Sequence, residues 1–275
     1  YTFWIIWGYA NAELYYDEAY TIHEYISRGW ERITTYYDEP NNHVFFNVLS
    51  YVWFKIFGIR SVVDNTNVMR ALPFLLTAGS FAALFSLTRM VKGSTGAIIS
   101  VILLASCIPY FSYSLRLRGY ILAAVLQLLF LSSFLKYLRS LDQPRINHAH
   151  GVLASILAAL QLYTLPTMAA PLLAEGLFTL VWCSRKFLRG NGTDRFRWIG
   201  PPVFLAMGAL LALALYAPML EDLLRVYMGG DYGARPAETG EFWLETLPAL
   251  MTDLPGGPLA AAGISFSIWV GISRP

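Results

Sequence analysis

Charged side chains are scarce in this sequence. Asp, Glu, Lys and Arg make up 14% of its 275 residues, 56% are hydrophobic, and the mean hydropathy is +0.47. Soluble domains carry roughly a quarter charged residues, so a soluble fold of this length is excluded. Cysteine is scarcer still. Cys107 and Cys183 fall in apolar helices toward opposite membrane faces, read as buried free thiols with packing roles, and say nothing about redox compartment. Soluble-enzyme signatures are missing as well: there is no Walker loop, no Gly-rich dinucleotide turn, no HExxH and no paired CxxC. No basic stretch precedes the first apolar residues, so no cleavable signal peptide is predicted. Net charge is only +2, and no nucleic-acid partner is expected.

Apolar length, by contrast, is abundant. A membrane-crossing helix needs roughly 20 apolar residues, and windows near 71–91, 95–114, 119–138, 149–165, 167–184 and 198–217 qualify. Residues 1–10 read as the last turns of a helix whose start is missing, and 257–272 as one broken off before its charged flank. The predicted fold is therefore all-α: a polytopic transmembrane helix bundle, a single domain over 1–275 truncated at both ends, with short interfacial helices in a first extracytoplasmic loop at 11–70.

Lys and Arg gather in alternate connections: Arg89 and Lys92, then Lys136, Arg139 and Arg145, then Arg185, Lys186, Arg189, Arg195 and Arg197. Cytoplasmic connections are enriched in these residues. The loop 11–70, the Arg116–Tyr120 corner, the Leu165-Pro166 turn and the acidic loop 218–256 then face outward. The sequon Asn191-Gly192-Thr193 lies in the most basic loop and is expected to stay unmodified.

The outward loop holds the candidate chemistry. Asp17-Glu18 heads a polar, aromatic stretch just past the first apolar run, where a lipid-borne substrate could meet a water-soluble one. The sequence DEAYTIHEYISRG predicts a short amphipathic helix. Ala19, Ile22 and Ile26 form one face, Glu18, His23 and Glu24 lie largely on the other, Asp17 is its N-cap and Gly29 its stop. Capping and catalysis are compatible roles for Asp17. Asn42 is the expected N-cap of an apolar helix, His43–Phe57, too short to cross a bilayer and expected in the outer leaflet with Lys55 snorkelling. Arg116 and Arg118, in SLRLRGY, either mark a helix end or clamp a phosphate bidentately. His23 and His43 could join Asp17 or Glu18 around a metal, but the predicted set holds no metal ligand and needs no cofactor. Within the spans, Glu175 is either functional or a protonated acid bonded to a neighbouring helix, and Gln127 and Gln161 are expected to bond between helices. The loop 218–256, with Met228 to Gly233 and Phe242-Trp243, has the composition of a substrate-covering loop.

The order of YYDEAYTIHEYISRGW, EPNNHVFFNVLSYVWFKIFG, RALPFLLTAGSFAALFSLTRMV and SLRLRGY resembles the GT-C membrane glycosyltransferases, specifically the family 39-like group of protein O-mannosyltransferases and lipid A aminoarabinose transferases. The resemblance covers roughly the first 140 residues and extends, through FWLETLPAL, only weakly beyond. It implies transfer of a sugar from a polyprenyl-phosphate donor to a lipid, glycan or protein acceptor on the outer face, in a bacterial inner or plasma membrane. By that likeness Asp17 is the catalytic base with Glu18 beside it, while Arg70, and Arg116 or Arg118, face the donor phosphate. Tyr120, His43 and Asn42 complete the candidate substrate-binding set. Several family members carry an Asp where Gly119-Tyr120 stand here, so a mechanism using two carboxylates from separate loops is not expected. A transporter or lipid flippase is the alternative from another class, and a non-catalytic scaffold a third.

Overall fold

The structure, a computed structural model, describes Gly8 and residues 13–39, 42–60, 66–189 and 192–228. The terminal half-spans expected at 1–10 and 257–272, and the 218–256 loop beyond Met228, lie outside the described residues apart from Gly8. Every regular element among the described residues is helical. In chain order these are α1 (Tyr16–Thr21), which runs into a π-helical turn at Ile22–Ile26, α2 (Trp30–Thr35), α3 (Val44–Phe57), α4 (Thr66–Ala105), α5 (Ile108–Ser114), α6 (Tyr120–Ser140), α7 (His148–Thr164), α8 (Ala169–Arg189), α9 (Gly200–Tyr216) and α10 (Leu220–Met228). A 3-10 segment, Gly192–Ile199, links α8 to α9. Among the described residues, four stretches are long and apolar enough to cross a membrane: Thr66–Ala105, Tyr120–Ser140, Pro166–Arg189 and Arg195–Val226.

The first of these is not one rod. A straight helix would hold Ser80 and Tyr110 about 45 Å apart at 1.5 Å per residue, yet their hydroxyls are hydrogen-bonded. Thr77 Oγ1 donates to the Ser114 carbonyl at 3.3 Å, and the Phe81 and Phe111 rings lie 6.2 Å apart. The chain therefore doubles back at Gly93, whose φ of 78° and ψ of −176° break the helical backbone. Glycine reaches that φ without a Cβ penalty. The returning leg corrects the sequence expectation of a single span at 95–114. It stops at Ala105 and restarts at Ile108, because Pro109 has no N–H to give the Ala105 carbonyl and its ring crowds the preceding turn. Cys107 consequently sits in an extended gap rather than in a helix.

The window 149–165 is occupied by α7, whose 17 residues measure about 25 Å at the helical rise, the short end of the range for a membrane-crossing helix. It is the central element, walled by α6 on one side and α9 on the other. Small residues allow the close approach to α9. A Cβ on Gly208 would lie 2.9 Å from the Ser155 carbonyl, and one on Gly151 would lie 2.5 Å from the Phe204 ring. Ser155 Oγ donates across the contact to the Phe204 carbonyl at 2.6 Å. Small side chains that let backbones meet are the usual means of helix association in lipid, where apolar burial gives little driving force. α8, by contrast, has only 11% of its apolar window buried, which leaves Leu173, Leu177 and Val181 on an open apolar face.

The basic residues collect at one end of the bundle. Arg139 donates to the Met90 carbonyl at 3.1 Å, and Arg197 to the Gln143 carbonyl at 2.9 Å, so the connections at 89–92, 141–147 and 192–199 adjoin. The first loop collects at the other end, where the Tyr37 and Tyr163 rings both pack on Tyr216 at 6.1 and 5.1 Å. α3 packs beneath that loop with Val44, Phe46 and Phe54 buried, while Val52, Ile56 and Phe57 stay exposed. Lys55 stretches over the Tyr51 ring at 5.3 Å.

Candidate functional site

Residues distant in sequence meet at the loop end, and Glu18 is their centre. It is fully buried, which corrects its expected place on an open helix face. Its Oε2 accepts from Arg70 Nη2 at 3.0 Å and from the Tyr15 amide at 2.8 Å, while Oε1 accepts from the Leu117 amide at 2.6 Å. The Tyr15 bond also corrects the expected N-cap. Glu18 occupies the third helical position and reaches back to the cap amide, so the cap is Tyr15 and Asp17 lies inside the first turn. The π-helical turn that follows shifts the register, burying Ile22, Tyr25 and Ile26 while His23 faces solvent against Glu24.

Arg70 is itself inaccessible, and its Nη2 also donates to the Glu13 carbonyl at 2.9 Å. A fully buried carboxylate keeps its charge only when paired and hydrogen-bonded. Glu18 meets that condition with one guanidinium and two amides. The group joins the first loop, α4 and the corner between α5 and α6.

A second tie holds the same corner. His43 Nδ1 accepts from the Gly119 amide at 2.7 Å. Because an amide N–H only donates, Nδ1 is unprotonated and the ring proton sits on Nε2. Burial, reinforced by the Arg118 guanidinium beside it, pushes His43 down to about 3, so the ring is neutral at physiological pH. Gly119 is required by the closeness of this contact: a Cβ there would lie 2.6 Å from His43 Nδ1. The Tyr120 ring meets His43 edge-on at 5.0 Å and Tyr113 at 5.6 Å.

Between the two ties the corner presents its arginines. Arg118 is 3% exposed, and its Nη1 pairs with Asp17 Oδ2 at 3.2 Å. Asp17 is different in kind from its neighbour: its side chain is 50% exposed, so the carboxylate is held from one side and open on the other. Arg116 is half-buried. Its Nε donates to the Ser112 carbonyl at 3.0 Å, and its guanidinium lies over the rings of Tyr15 at 4.3 Å and Tyr113 at 5.4 Å. It makes no ion pair among the described residues. A guanidinium flanked by two rings is oriented without being neutralised.

All eight sequence-predicted site residues thus fall at one end, though not in equivalent positions. Asp17, Arg116 and Tyr120 border the open side, and Glu18, Arg70, His43 and Arg118 form the layer behind it. Asn42 belongs to the scaffold. It does not cap α3, whose cap is His43; instead Asn42 Nδ2 donates to the Tyr36 carbonyl at 2.7 Å and its Oδ1 accepts from Asn47 at 2.9 Å, tying Tyr36 to α3. Tyr15 and Tyr113 were missed by sequence reasoning. Tyr113 could have been found from its spacing to Arg116, whereas Tyr15 reaches Arg116 only through the tertiary fold.

Away from this end, Gln127 donates to Glu175 between α6 and α8, as expected. Gln161 departs from expectation: it is buried with neither side-chain polar atom partnered among the described residues. Cys183 is a buried free thiol and Cys107 a half-buried one.

Among the described residues this architecture is all-helical, with four candidate membrane spans and a charged, aromatic cluster at one end of the bundle. Comparison with protein-family models, with characterised proteins and with solved structures gives no match. The function is therefore argued from the site.

Proposed function

We propose that this chain is a membrane glycosyltransferase of the GT-C, family 39-like kind, moving a sugar from a polyprenyl-phosphate donor to an acceptor at the Asp17 end of the bundle. The observation that carries the reading is the half-exposed Asp17 carboxylate, fixed by Arg118 at 3.2 Å, on the same corner as the Arg116 guanidinium flanked by Tyr15 and Tyr113. A base and a cation are the two groups the transfer needs. Asp17 takes the proton of the acceptor hydroxyl as its oxygen bonds to the anomeric carbon. The bond from that carbon to the phosphate oxygen breaks with its electron pair, and Arg116 meets the charge left on the phosphate. Attack opposite the phosphate inverts the anomeric centre. Glu18, Arg70, Arg118 and His43 hold these groups in place. By the bias of basic residues toward the cytoplasm, the Asp17 end faces outward from a bacterial inner or plasma membrane.

One observation favours a transporter or flippase instead: the Gln127–Glu175 pair lies inside candidate spans, where transporters keep polar groups. The experiment that separates the two is transfer from a radiolabelled polyprenyl-phosphate sugar by membranes holding the full-length protein, wild type beside Asp17→Asn at matched expression. The glycosyltransferase reading expects transfer to fall by about 100- to 10,000-fold with donor binding retained, and an inverted product. Equal transfer by both proteins removes Asp17 from the chemistry. Absence of transfer by either, with lipid movement intact, favours the flippase.

A further inference from the structure

We propose that the basic end of the bundle holds a binding site for one anionic phospholipid, where α8, the 3-10 segment Gly192–Ile199 and α9 meet. A cavity of about 380 Å³ opens there, lined by Leu180, Cys183, Phe187, Trp198, Ile199 and Pro202. Apart from Ser184 its walls are apolar, and its mouth is open, with Leu180 51% and Ile199 45% exposed. This is a slot for a hydrocarbon chain on a helix whose outer face is uncovered.

Cations stand at its rim. Lys186 Nζ lies 5.3 Å from the Trp198 ring and 5.9 Å from Trp182, and the Arg195 guanidinium lies 5.6 Å from Phe187 and 5.0 Å from Phe196. Trp198 and Phe187 are themselves walls of the cavity, so each cation is tethered to the slot it overlooks. Neither pairs with a carboxylate among the described residues, and both are exposed. The Trp182 and Trp198 rings meet edge-on at 5.0 Å, forming a firm floor at the level where headgroup and chain join.

An apolar slot beneath two exposed cations suits an amphiphile with a hydrocarbon tail and an anionic head. A small soluble anion would leave the slot empty, and a zwitterionic lipid would bring its own cation against Lys186 and Arg195. Basic pockets between membrane helices select anionic headgroups for this reason, so a preference of about tenfold over zwitterionic lipid is expected. The proposal stands whether or not the chain is a glycosyltransferase.

The test places the full-length protein in phosphatidylcholine nanodiscs, with a minor fraction of the lipid replaced by phosphatidylglycerol or phosphatidylcholine carrying brominated chains. Bromine quenches a touching indole, and subtracting the Trp198→Phe protein isolates the Trp198 signal. Brominated phosphatidylglycerol is expected to quench that signal at about one tenth the doping that phosphatidylcholine requires. The Lys186→Gln/Arg195→Gln protein, with an unchanged unfolding midpoint, should keep the quenching and lose the preference. Equal quenching by both lipids in the wild type would reduce the slot to ordinary boundary lipid. A preference that survives the double substitution would place the headgroup elsewhere. Absence of quenching at Trp198 would mean that protein, from this chain or a second copy, fills the slot; each of these three outcomes overturns the proposal.

Discussion

At the loop end of the bundle Glu18 and Arg70 are shut away from solvent and closed on each other at 3.0 Å, whereas at the opposite end Arg185, Lys186, Arg189 and Arg195 stand exposed. The first arrangement commits geometry: two buried charges persist only if every surrounding donor and acceptor is in place. The second commits almost none, and gives the molecule a sidedness. Charge at the loop end is therefore structural capital for a site, and charge at the basic end faces whatever lies around it.

The difference can be broken most severely at Glu18. Replacing it with Gln leaves Arg70 buried without its counter-ion, and a loss of about 3–5 kcal/mol is expected, read as a lowered unfolding midpoint in detergent. A midpoint within a degree of the wild type would show that the pair is solvated and not a keystone. Gly119→Ala comes next. Its Cβ would meet His43 at 2.6 Å, and the forced displacement should cost about 1–3 kcal/mol. A crystal or cryo-EM structure of that protein should show the Gly119 amide parted from His43.

The third prediction concerns acid. His43 is held at about 3, below its ordinary 6.5, so the neutral ring contributes its full share above 6.5 and loses it as pH falls toward 3. The midpoint of the wild type should drop across that window more steeply than that of His43→Gln, whose amide oxygen can still accept from Gly119. Parallel curves would remove His43 from the acid response. The smallest effect is expected at the basic end: Arg185→Gln with Arg189→Gln should change stability by no more than about 0.5 kcal/mol. A larger change in thermal melts would mean that these arginines hold hidden partners.

Much of the bundle was legible because a membrane helix advertises itself through composition. The hairpin reversal at Gly93 coincides with the basic connection at Arg89 and Lys92, and the short α3 was readable from its length alone. The loop end was legible in its membership but not in its division of labour. Asp17 and Glu18 are adjacent, yet one is half-exposed and the other sealed, because Leu117 and Arg70, 99 and 52 residues further on, close over Glu18. No local periodicity carries that information. The same holds for α2, where Trp30–Thr35 is helical without a hydrophobic stripe long enough to announce it, and for the π-helical turn at Ile22, which changes which side chains point inward.

The tie from Glu18 to the Leu117 amide also has a consequence in time. At roughly 5–20 residues per second, the 99 residues between them take on the order of 5–20 s to synthesise. Throughout that interval Glu18 has no Leu117 amide to accept from, so the loop that carries Asp17 waits for the second corner before it can close. The loop that is made before α4 and α5 is thus completed only after them.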